Sequence, residues 1–126
     1  IELIEQMISG NNVDSNRVYV SGLSMGGMGT FEILSQRPDM FAAATPICGS
    51  GDLNKVKNYA KKLPIWIFHG SLDKVVLPQE SLNIAKKIIE EGGNLRLTLY
   101  ENVGHDSWND AFEEKDFLSW IHSKSK

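Results

Sequence analysis

The 126-residue chain has one cysteine, Cys48, which excludes an internal disulfide framework and any zinc site built from several cysteines. It has no Asn-x-Ser/Thr glycosylation site. It also has no apolar run near the roughly 20 residues that span a bilayer. Neither sign of charge dominates: 13 Lys and Arg stand against 16 Asp and Glu, a net charge of −3. No basic field is therefore available for nucleic acid or anionic lipid. Its three histidines include no pair at the i, i+4 spacing of a helix-borne metal site. What is present is ordinary for a globular domain, with 41% hydrophobic and 23% charged residues, and the length suits one domain.

The apolar pattern alternates between two periods. Ile1 to Ile8 reads as part of an amphipathic helix that stops at Gly10-Asn11. It lacks a capping residue and an initiator Met, so the chain is expected to open inside a helix. Strands are predicted at Arg17–Ser21, Phe41–Cys48, Ile65–Phe68 and Leu95–Tyr100, where β-branched, aromatic or wholly apolar residues cluster. Helices are predicted at Gly26–Arg37, at Leu53–Lys62, at Pro78–Glu91 with Leu82, Ala85, Ile88 and Ile89 inward, and at Asp110–His122. Four such alternations imply an α/β domain, a parallel sheet with helices on both faces.

Between the first strand and its helix lies Gly22-Leu23-Ser24-Met25-Gly26-Gly27, a match to G-x-S-x-G. That turn exposes a nucleophilic serine, and its tightness demands small residues two before and two after Ser24. The helix beginning beyond the serine points its first amides at a developing oxyanion, which makes the Met25 amide a candidate donor. Phosphate binding is disfavoured, because Met28 stands where a phosphate loop needs Lys, and G-x-G-x-x-G is absent.

An acid and a base should follow the serine in that order, each in a loop after a later strand. Asp73 follows the third strand in His69-Gly70-Ser71-Leu72-Asp73, and His105 follows the fourth in Gly104-His105-Asp106-Ser107-Trp108. All three would emerge at the carboxyl edge of the sheet, where open α/β folds bind ligands. Asp52 is the alternative acid. His69 is expected to brace its turn by hydrogen bonding, His122 to be solvated, and Cys48 to pack as a small apolar residue within its strand. Trp108 either lines a substrate pocket or simply packs. No cofactor or metal is called for.

The segments Gly22–Gly27, Arg37–Ala44 (Arg-Pro-Asp-Met-Phe-Ala-Ala-Ala), Pro46–Gly49, Phe68–Asp73 and Gly104–Trp108 resemble the catalytic half of an α/β hydrolase. Within that superfamily they are similar to the carboxylesterase/phospholipase-like group labelled predicted peptidases, near feruloyl and acetylxylan esterases and polyhydroxybutyrate depolymerases. The resemblance implies a serine hydrolase that cleaves carboxylic esters through an acyl-enzyme. Ser24 would attack, His105 would carry the proton and Asp73 would orient the imidazole. A peptidase with the same triad and a catalytically incomplete binding module are the rival readings. The implied substrate is a small-molecule or polysaccharide-linked ester. Similarity to polysaccharide-acting esterases is the one pointer to a secreted or periplasmic setting.

Members of this fold carry further strands before the nucleophile strand, and complete domains run to about 200–250 residues. Residues 1–126 therefore read as a single, N-terminally truncated domain that keeps the nucleophile strand and the three after it. The expectations are one unpaired apolar strand edge, self-association through it and poor activity of the chain alone.

Overall fold

The computed structural model describes residues 1–10 and 12–126. The helix α1 (Glu2–Ser9) precedes four strands, β1 (Tyr19–Leu23), β2 (Ala43–Ile47), β3 (Ile65–Gly70) and β4 (Leu95–Tyr100). Between them lie α2 (Met25–Gln36), 3₁₀ turns at Pro38–Met40 and Leu53–Asn58, and α3 (Pro78–Glu90); α4 (Trp108–Glu113) and α5 (Phe117–His122) close the chain. The helix stop expected at Gly10-Asn11 falls partly outside the described residues; Gly10 donates its amide to the Met7 carbonyl.

All four strands are parallel and stand in chain order, β1-β2-β3-β4. The predicted α/β architecture is thus what forms, with β1 as an outer strand of the described sheet. Side chains alternate along each strand and feed two cores. Val20, Ala44, Ile65, Ile67 and Leu97 point to the side covered by α2 and α3, where Phe31, Leu34, Ile84 and Ile88 meet them. Ile47, Trp66 and Phe68 point to the other side and pack with Ala111, Phe117 and Ile121 of α4 and α5. Trp66 is fully enclosed, stacked on Phe68 at 4.6 Å between ring centres and edge-on to Trp120 at 5.4 Å. No helix among the described residues is long and apolar enough to cross a membrane.

The structure corrects four local expectations. Asp110–His122 is two helices, because Glu114 is extended (ψ 126°) and the chain re-enters helix at Phe117. Ala111, Phe117 and Ile121 all reach the same core across that break, which is why they read as one stripe. The segment after Asp52 is a 3₁₀ turn, with the Asp52 carboxylate accepting from the Asn54 amide at 2.9 Å. The inward face of α3 is Ser81, Ile84, Ala85 and Ile88, whereas Leu82 and Ile89 are 36% and 64% exposed. Finally, β2 ends at Ile47, so Cys48 lies just outside the strand, with a positive φ of 41°.

Glycine is required on only one side of the nucleophile turn. A Cβ on Gly22 would run into the Gly26 carbonyl and come within 2.9 Å of Thr30 Oγ1, yet a Cβ on Gly26 would meet nothing within 4 Å. Gly22→Ala is accordingly expected to cost about 1–3 kcal/mol by overpacking. Gly26→Ala, inside a helix, should be neutral or stabilising. Chemical denaturation of the two variants checks this, and equal stabilities would refute it.

Candidate active site

The site lies where β1, β2, β3 and β4 deliver their C-terminal loops. Ser24 occupies the turn from β1 into α2 with φ 53° and ψ −116°, a conformation rare for a residue with a side chain. Two backbone bonds hold it there: its amide donates to the Ile47 carbonyl at 2.9 Å, and its carbonyl accepts from the Met28 amide at 3.1 Å. Behind the turn, Gly27 and Gly49 touch through bare backbone. A Cβ on Gly27 would lie 2.7 Å from the Ile47 carbonyl oxygen. Met25 is the first residue of α2, so its amide has no intrahelical acceptor.

Asp73 is 2% exposed at the start of a tight turn, and its Oδ1 accepts from the amides of Val75 and Val76, both at 2.9 Å. Its Oδ2 accepts from His105 Nδ1 at 2.8 Å, and His105 Nε2 lies 3.0 Å from Ser24 Oγ. The loops that carry Asp73 and His105 are stitched together: Leu72 donates to the Val103 carbonyl at 2.8 Å, and the Asn102 amide donates to Ser71 Oγ at 2.9 Å. Serine, imidazole and carboxylate form one continuous chain of hydrogen bonds across three loops.

Burial alone would push the Asp73 carboxyl upward. The His105 hydrogen bond and the Val76 and Val75 amides outweigh that and hold it below the usual carboxylate range. A depressed pKa in the folded state adds stability above the unfolded value, and that stability is lost as pH falls through the folded one.

The other candidates fall elsewhere. Asp52 caps its own 3₁₀ turn, and the carboxylate that His105 engages is that of Asp73. His122 is exposed, and its carbonyl accepts from Arg17. The half-buried Trp108 presents its ring edge-on to His105, 5.5 Å between centres and 87° between planes. Cys48 is buried behind the site, with its sulfur, an Asp73 oxygen and a His105 nitrogen all within 4.8 Å of one another. These are the only three side chains among the described residues grouped closely enough to hold a metal. Burial pushes the Cys48 thiol up, which disfavours the thiolate a metal or a nucleophilic role would need. Sequence reasoning placed Cys48 in the strand and gave no sign that it borders the carboxylate and imidazole.

A family model for the dienelactone hydrolase family matches residues 2–117. The chain belongs to the dienelactone hydrolase family. This agrees with the α/β-hydrolase resemblance and with the esterase character of its relatives. The chain is 37% identical over 79 residues to the bifunctional acetylxylan esterase/xylanase of Neocallimastix patriciarum, which covers 63% of this chain and 12% of that protein. It is 27% identical over 129 residues to the carboxylesterase SOBER1 of Arabidopsis thaliana, covering 98% of this chain and 55% of the relative. The crystal structure of a thermostable esterase superposes with a TM-score of 0.94 at 38% identity, covering 99% of this chain and 35% of that one. This dienelactone hydrolase family chain thus spans between about a tenth and somewhat over half of these relatives.

Proposed function

We propose that this domain is a serine hydrolase that cleaves carboxylic esters through an acyl-enzyme on Ser24. The observation that carries the reading is the unbroken chain from Ser24 Oγ to His105 Nε2 at 3.0 Å and from His105 Nδ1 to Asp73 Oδ2 at 2.8 Å. His105 takes the proton of Ser24 as Oγ attacks the ester carbonyl. The alkoxide leaving group then departs with that proton, and water repeats the sequence on the acyl-enzyme. Asp73 keeps the Nδ1 proton facing itself and so leaves Nε2 free as the base. The Met25 amide, at the positive end of α2, receives the oxyanion. Trp108, edge-on to His105, forms one wall for the substrate.

The names of the relatives, acetylxylan esterase and carboxylesterase, support an ester in place of an amide. A small-molecule or polysaccharide-linked ester is the substrate class that follows. The test is intact mass after incubation with a fluorophosphonate. One adduct, lost in Ser24→Ala, is the expected result, and a folded protein without any adduct would overturn the assignment of Ser24. Parallel kinetics on an ester and its matched amide separate an esterase from a peptidase.

A further inference from the structure

A second histidine borders the same carboxylate oxygen that His105 engages. His69 is fully buried at the end of β3, and both of its ring nitrogens are engaged. Nδ1 lies 2.6 Å from Ser81 Oγ on the inward face of α3; Nε2 lies 2.7 Å from the Val76 carbonyl and 3.2 Å from Asp73 Oδ2. A carbonyl and a carboxylate only accept, so Nε2 must carry a proton. Among the described contacts the Ser81 hydroxyl has no other acceptor, so its proton goes to Nδ1. The two acceptors thus place a proton on Nε2, and Ser81 holds the ring from the Nδ1 side. The N–H aims at the Val76 carbonyl and lays its electropositive edge along Asp73 Oδ2. Val76 is also the residue whose amide holds Oδ1, so the ring grips the Asp73 turn at its carbonyl while the carboxylate grips it at the amide.

We propose that His69, held at Nδ1 by Ser81 and at Nε2 by the Val76 carbonyl, is a positioning residue that sets the orientation of the Asp73 carboxylate towards His105. It touches neither Ser24 nor the substrate space and acts only through Asp73. The kinetic part of this inference rests on the esterase reading above; the geometric part does not.

The test compares His69→Phe, which keeps the ring volume and removes both nitrogens, with His69→Gln, whose amide N–H replaces Nε2–H. The expected result for His69→Phe is a kcat lowered by up to roughly 100-fold at unchanged KM, the scale on which misplacement of a reacting group acts. His69→Gln should recover most of that loss. In proton NMR, the low-field His105 Nδ1–H signal, assigned by its absence in His105→Gln, should move or broaden in His69→Phe and return towards its place in His69→Gln. An unmoved signal, or equal losses in both variants, overturns the proposal. The NMR comparison needs no turnover. A protein inactive on esters would therefore sink the esterase reading and still decide the role of His69. Should His69→Phe not fold, Ser81→Ala decides. With the Nδ1 anchor gone the ring is free to shift against Asp73, so the His105 signal should move while the His69 proton stays on Nε2; an unmoved His105 signal overturns the proposal.

Discussion

Replacing Ser24 by alanine will lower kcat for an activated ester by roughly 10⁴- to 10⁶-fold while leaving the fold intact. The separation of the two effects follows from how the turn is held. Its bonds are made by backbone, the Ser24 amide to Ile47 and the Ser24 carbonyl from Met28, and alanine keeps both. The positive φ of 53° costs alanine about what it costs serine, because the strain comes from the Cβ that both residues have. Only the Oγ partner of His105 Nε2 disappears. Melting temperature and ester kinetics measured together check this. Activity within tenfold of the parent would show that another group is the nucleophile.

Asp73→Asn is expected to be almost as damaging, near 10⁴-fold in kcat, through misplacement of one proton. The two turn amides of Val75 and Val76 require an acceptor at Oδ1, so the asparagine carbonyl must face them and its NH₂ must face His105. Nδ1 then becomes an acceptor, the imidazole proton moves to Nε2, and Nε2 can no longer take the proton of Ser24. The same NH₂ also meets the N–H edge of His69 at a position where the carboxylate oxygen lay 3.2 Å away. Two donors facing each other in a buried site lower stability as well. The pH dependence supplies an independent reading. The parent should lose stability as pH drops below about 4, where the carboxyl titrates when unfolded. Asp73→Asn, with no carboxyl there, should lose less over that range. Thermal melts from pH 7 to pH 3 check it; parallel curves would mean that the Asp73 charge does not support the fold.

That Ser24, Asp73 and His105 come together was legible because their order is topological. Ser24, Asp73 and His105 each follow a strand, and parallel strands send their following loops to one edge, so the order of residues already implied proximity. The sheet was legible for a related reason: Ile65–Phe68 is apolar on both faces, as a strand covered on both sides must be. What stayed hidden depends on partners that share no pattern with the chain around them. Cys48 extends an apolar run by one residue, and nothing in its type announces that β2 has ended and φ has turned positive. The face of α3 was misjudged because its inward position at Ser81 is polar. The hydrophobic stripe shifted to Leu82 and Ile89, while the true stripe is completed by a hydroxyl that answers a buried imidazole. The break at Glu114 was invisible because side chains on both sides of it reach one core.

The Ser24–His105 hydrogen bond joins residues 81 apart in sequence, and every strand of the sheet lies between or at its ends. No local fragment can make that contact, and parallel pairings of this kind form slowly because loop closure precedes any gain from contact. On the role proposed for Ser24, its labelling would report when this contact closes during folding. During refolding from denaturant, helical signal should return first, and a fluorophosphonate added at successive times should label only those molecules whose β4 loop has reached the β1 turn.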